Sequence, residues 1–231
     1  MLQINRLVRA RDYEGILSYA KEFHEHVCPY LILGIRASMI AMEELGVGRL
    51  DYGGSVDESI LAIVENNSCF ADGVQVTTGC TFGNNSLIYV DLGKIALTLV
   101  RRSDWQGVRV YIDGEKLEKY YTPETTELFD RVVKRREGTD EEVERLWQLW
   151  EETAKKMLYL PRREFKVERV KVEPIEHAPI FESVRCAKCG ELVMATKVIY
   201  MEGKPFCLKC AGERYYAVTG SGIVEMRKDE D

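Results

Sequence analysis

Apolar residues recur at helical spacing from residue 12 to 24, where Tyr13, Ile16, Leu17, Ala20 and Phe23 share one side of a predicted helix. The segment His24 to Cys28 breaks that period. Pro29 then suits the first turn of a second helix, because the amide hydrogen it lacks would have no intrahelical partner there. This helix is predicted to run to about Leu45 and to stop at Gly46. Over 55–65 the pattern turns β-branched and apolar, with SILAIVE as the predicted strand. Residues 68–77 predict a short helix. The run LIYVDLGKIALTLV predicts two strands joined at Leu92-Gly93-Lys94, and VRVYID at 108–113 predicts a third.

Residues 123–159 are charged and helical in pattern, interrupted at Gly138. Thr139 and Glu142 have the spacing of a capping box. Leu146, Leu149, Trp150 and Met157 mark a buried stripe, packed on the core or on a dimer partner. From 161 to 180, Pro161, Pro174 and Pro179 stand among charges, the composition of a tether. The expected organisation is therefore a first domain at 1–160, a linker at 161–180 and a small domain at 181–231. A chain of 231 residues suffices for one good core and a satellite.

The start, MLQINRLVRA, lacks a signal-type apolar run, and no stretch approaches the roughly eighteen apolar residues of a membrane span. The net charge of −6 argues against a chain built as a whole to bind nucleic acid. Seven cysteines, an odd number with metal-type spacing, fit reduced thiols in a cytosol better than a disulfide framework.

Four of the cysteines form two pairs, Cys186-x-x-Cys189 and Cys207-x-x-Cys210, seventeen residues apart. Zinc favours four thiolates in a tetrahedron, and this pattern supplies them. Gly190 suits the tight turn after Cys189, and Val193–Met201 with Lys204–Phe206 predicts a hairpin between the pairs. Residues 181–231 hold eight Lys or Arg against eight Asp or Glu, so this clip lacks the basic patch of a phosphate binder. A structural zinc is the expectation.

Cys28, Cys69 and Cys80 lie near two of the three histidines. His24, His26 and Cys28 occupy alternate positions, and in an extended segment such residues point to one side. Cys28 also precedes the helix that opens with Pro29, where the positive helix end favours a thiolate. Cys69 and Asp72 share a face at helical spacing. Gly79 and Gly83 bracket Cys80, so backbone there can approach a ligand closely. A metal site and small buried thiols packed in the core both fit these residues.

His24-x-His26-x-Cys28-Pro29, with Gly34 and Arg36 after it, resembles the His-Gly-His-x-Cys-Pro-Gly signature of the FmdE component of formylmethanofuran dehydrogenase. The run from Cys69 through Asp72, Gln75 and Thr78-Gly79-Cys80-Thr81 to Gly83, then Asp91-x-Gly93-Lys94, resembles that family's second block. The terminal four-cysteine clip is similar to one appended to many members. Glu25 stands where glycine is usual, Tyr30 replaces the glycine after Pro29, and Gly73 stands where alanine is usual. The resemblance implies an α+β first domain, helices on an antiparallel sheet, that dimerises. A small treble-clef or zinc-ribbon domain follows. It also implies a metal, zinc or another transition metal, held among His24, His26, Cys28, Cys69 and Cys80, in a pocket lined by Asp72, Gln75, Thr78 and Tyr30. Three functions follow as expectations. The first is an accessory to a molybdenum or tungsten enzyme, or a protein that handles a metal or metallocofactor. The others are an enzyme with an open metal site or thiolate, and a ligand sensor reporting through the ribbon.

Overall fold

The computed structural model describes residues 2–226 and divides into two compact units, Met1–Pro174 and Ile175–Asp231. In the first unit, α1 (Gln3–Ala10) precedes α2 (Tyr13–His24), α3 (Pro29–Leu45) and the short α4 (Tyr52–Val56). Strand β1 (Ile60–Val64), helix α5 (Cys69–Thr78) and strand β2 (Leu87–Tyr89) follow. Then come β3 (Ala96–Arg101), β4 (Gln106–Ile112), α6 (Pro123–Leu128), α7 (Asp140–Met157) and β5 (Phe165–Lys171).

Local chemistry sets these bounds. Asp12 caps α2 by accepting the Gly15 amide at 2.9 Å. Pro29 opens α3, and Gly46 closes it at φ +68, a backbone region that costs glycine little. Thr139 and Glu142 make the reciprocal capping box of α7. Leu146, Leu149 and Met157 are buried within the chain itself, and α7 packs on α3. The stripe expected to seek a dimer partner is thus already covered.

The sheet runs β2-β1-β3-β4-β5 and is mixed. Strands β1 and β2 are parallel, Ala62 opposite Leu87; the remaining pairs are antiparallel, with Ala62 opposite Leu99 and Leu99 opposite Val108. The two strands expected as neighbours across Leu92-Gly93-Lys94 therefore flank β1 rather than each other. The reason lies in α5: a helical crossover returns the chain to run parallel to the strand it left, so β2 takes one edge of β1 and leaves the other to β3. Strand β5 corrects the tether reading. Phe165 and Val167 turn to the core while Lys166, Glu168 and Lys171 face solvent, and charged residues on an edge strand discourage further pairing.

Helix α3 is buried almost throughout and lies on β3 and β4. Its crossing with α5 is unusually close. A Cβ at Gly34 would fall inside van der Waals contact of the Phe70 carbonyl oxygen and 3.1 Å from the Gly73 Cα. A Cβ at Gly73 would run into the Leu31 carbonyl oxygen and sit 2.9 Å from the Ile35 amide nitrogen. Backbone cannot yield as the end of a side chain can.

The second unit contains the antiparallel pairs β6 (Ser183–Arg185) with β7 (Leu192–Met194) and β8 (Val198–Met201) with β9 (Lys204–Cys207). A one-turn helix α8 (Leu208–Ala211) and a hairpin of β10 (Tyr215–Thr219) and β11 (Gly222–Met226) follow.

Gly34→Ala is expected to lower the stability of the first unit by at least the ~1–3 kcal/mol typical of overpacking, read as a fall in its thermal unfolding midpoint. An unchanged midpoint would contradict the close crossing.

Candidate metal centre

The α3–α5 crossing brings two helix starts together. Cys28 is the residue before α3, in extended conformation at φ −134, and Cys69 is the first residue of α5, after the Ser68 cap. Backbone amides at the head of α3, from Tyr30 and Leu31, reach the Cys28 sulfur. Helix starts favour negative charge, so both thiols sit where thiolate is stabilised.

The two histidines arrive by a turn rather than by plain extension. His24 is the last residue of α2, and Glu25 adopts the left-handed conformation at φ +65. That reversal turns the chain back and lets His26 lie on His24, with ring centroids 4.2 Å apart. Trp147 of α7 covers the other side of His26 at 4.5 Å, and is itself held edge-on by Trp150 at 5.1 Å. One donor atom from each of His24, His26, Cys28 and Cys69 lies within 4.8 Å of every other.

Hydrogen bonding fixes what these donors present. His24 Nδ1 is 2.7 Å from Asp72 Oδ2. An ionised carboxylate only accepts, so Nδ1 carries the proton and Nε2 keeps its lone pair. Gln75 Nε2 donates to the other Asp72 oxygen at 3.0 Å and holds the carboxylate in place. His24 Nε2 is buried and finds no hydrogen-bond partner among the described residues. A buried bare acceptor is costly unless something occupies it. Carboxylate to imidazole to cation is the usual arrangement around a metal-ligating histidine. The donor set, two imidazoles and two sulfurs, fits a tetrahedral zinc or another transition metal.

The thiols are coupled. Their mutual hydrogen bond, together with the nearby His24 and His26, pulls the Cys69 thiol well below its ordinary value. The same hydrogen bond and burial push the Cys28 thiol up. One thiolate and one thiol sharing a proton is the result, and a cation would displace that proton. Burial also raises the Tyr30 phenol, which stands beside both sulfurs, and the Tyr121 phenol beside Tyr30 and Cys28.

Cys80 and Thr78 do not join this group. Thr78 ends α5 nine positions after Cys69, about 13 Å along the axis at the helical rise. Its hydroxyl donates to the Val74 carbonyl at 2.7 Å and accepts the Cys80 amide at 3.1 Å. Cys80 is fully buried, with its sulfur 3.8 Å from the Ile60 carbonyl oxygen, and desolvation pushes its thiol up to about 12. Its place is that of a small core residue. Asp72, Gln75 and Tyr30 lie where expected. Trp147 and Tyr121 were missed, because nothing local in the sequence ties them to residues a hundred positions earlier.

In the second unit Cys186, Cys189, Cys207 and Cys210 also converge within 4.8 Å. Gly190 takes φ +75 after the first pair, and Cys207 precedes α8. Amides donate into sulfur, Cys207 to the Cys186 sulfur and Cys210 to the Cys207 sulfur, each at 3.4 Å. Amides of Cys189 and Cys207 lower the Cys186 thiol to about 6. The four thiols are arranged as a zinc clip.

Comparison with known proteins gives the same division. Residues 23–166 match the family described as "FmdE, Molybdenum formylmethanofuran dehydrogenase operon". Residues 179–216 match the prokaryotic dksA/traR C4-type zinc finger, which with the four-cysteine cluster supports zinc there. A protein of Archaeoglobus fulgidus named probable S-adenosyl-L-methionine-binding protein is 61% identical over 211 residues, covering 91% of this chain. The matched part spans 56% of that relative's length. A solved structure, an FmdE-like protein of tungsten formylmethanofuran dehydrogenase from Syntrophus aciditrophicus, is similar at 25% identity and a TM-score of 0.56. The match covers 87% of this chain and 92% of that one. No helix among the described residues is long and apolar enough to cross a membrane.

Asp72→Asn should weaken metal binding about 10–100-fold, the usual effect of losing a carboxylate that orients a ligand histidine, measured by competition with a chelator of known affinity. Chelation should also melt the second unit and leave the first folded, since its small core depends on the clip; limited proteolysis reads this directly.

Proposed function

The chain belongs to the FmdE family, and we propose that within it the first unit holds a transition metal between His24, His26, Cys28 and Cys69. The observation that carries this is the bare, buried His24 Nε2, backed by an Asp72 carboxylate on the opposite ring nitrogen and facing two coupled thiols. Zinc suits the set best by geometry and softness, while other divalent first-row metals compete by affinity and supply.

The function we propose is that of an accessory protein, one that holds or hands on a metal or metallocofactor. Four protein donors fill a tetrahedral shell, whereas hydrolytic zinc sites keep one position for water. The donor count therefore supports holding over catalysis. The family description and the name of the similar solved protein both refer to formylmethanofuran dehydrogenase. That supports a molybdenum or tungsten enzyme of this type as the partner. Family resemblance alone supports a homodimer, since the α7 stripe is spent inside the chain.

The chain as purified should carry about two metal ions, one in each cluster, by elemental analysis. Cys28→Ser should lose one and keep the ribbon zinc. Full metal content in that variant would sink the proposed site.

A further inference from the structure

Away from the metal centre, a cavity of about 930 Å³ opens between the head of α1, the 49–56 segment and the end of α5. Two cations line it, Arg9 and Arg49, against one carboxylate, Asp51, in a chain whose net charge is −6. The carboxylate is partly spent, because Asp51 Oδ1 accepts the Gly54 amide at 3.0 Å.

Arg49 is half-buried and is fixed on one side only. Its Nε donates to the Val76 carbonyl at 2.9 Å, and Nη1 donates to Asn5 Oδ1 at 2.9 Å and to the Leu50 carbonyl at 3.3 Å. Neither Arg49 nor Arg9 has a carboxylate partner among the described residues. The second terminal nitrogen of Arg49 keeps its two N–H donors free for the cavity. Gly79 leaves the guanidinium this position: a Cβ there would stand 3.3 Å from the Arg49 Cζ. A partly desolvated, pre-oriented guanidinium with a spare edge is the usual recognition element for a carboxylate or phosphate.

The rest of the wall is apolar and open. Tyr52 is 93% exposed and Val56 76% exposed, large apolar side chains that gain by being covered. We propose that this cavity binds a small organic anion, its carboxylate or phosphate on Arg49 and Arg9 and its aromatic body on Tyr52 and Val56. The site is independent of the metal centre, since its residues supply none of the four donors.

The test is calorimetric titration of the metal-loaded full chain with three probes: AMP, phenylpropionate and adenosine. AMP or phenylpropionate should bind one to one, and which of them does so identifies the head group. Adenosine, which has the flat body without the anion, should bind at least about tenfold more weakly than AMP, the worth of one charge-assisted hydrogen bond. Arg49→Gln should weaken binding of the anionic probe about tenfold or more on the same basis. Should that variant fail to fold, Arg9→Gln and Tyr52→Ala, both at exposed positions, should each weaken binding while metal content stays unchanged. Absence of binding by both anions at millimolar concentration would overturn the site. So would adenosine matching the anions, or affinities unmoved by the substitutions.

Discussion

The close crossing of α3 and α5 at Gly34 and Gly73 is the constraint on which the rest of the first unit depends. Two backbones approach until neither position has room for a Cβ. The approach carries the head of α5 to the head of α3, and with them Cys69 to Cys28. It also fixes where the crossover between β1 and β2 runs, and so which strands can become neighbours. A helix pair set wider apart would leave the two thiols on separate elements with no shared proton. The position where alanine is usual in the family is glycine here, and the contact with the Leu31 carbonyl gives the physical reason.

Around that crossing each side chain of the candidate site is held by something else. Asp72 orients His24, Gln75 holds Asp72, and Trp147 caps the ring of His26. Such support keeps donor atoms near one geometry before an ion arrives, which lowers the reorganisation that binding would otherwise cost. Glu25 at φ +65 is the least comfortable member, since a side chain there carries a backbone cost that glycine avoids. Glycine at this place in relatives follows from that turn.

Sequence reading succeeded where the signal is local. Pro29 and Gly46 bound α3, Thr139 with Glu142 starts α7, and the paired Cys-x-x-Cys turns mark the ribbon. His24, His26 and Cys28 were legible for the same reason, although a left-handed turn at Glu25, not strand alternation, is what gathers them. Adding Cys69 required the family resemblance. The failures are all non-local. Whether β2 pairs with β1 or β3 depends on a helix between them. Strand β5 is short, charged and close to Pro161 and Pro174, so composition hides it as a tether. Cys80 and Thr78 share a sequence block with Cys69, but helical rise carries them to the far end of α5. Trp147 reaches His26 only through the packing of α7 on α3.

The central claim is that two chemically different clusters, one of two nitrogens and two sulfurs and one of four sulfurs, each hold an ion. X-ray absorption at the metal edge of the fully loaded chain reads the average ligand set directly. The account predicts a mean of three sulfurs and one nitrogen per ion, from two and four sulfurs over the two sites. A shell of sulfur alone, with one ion per chain, would contradict it.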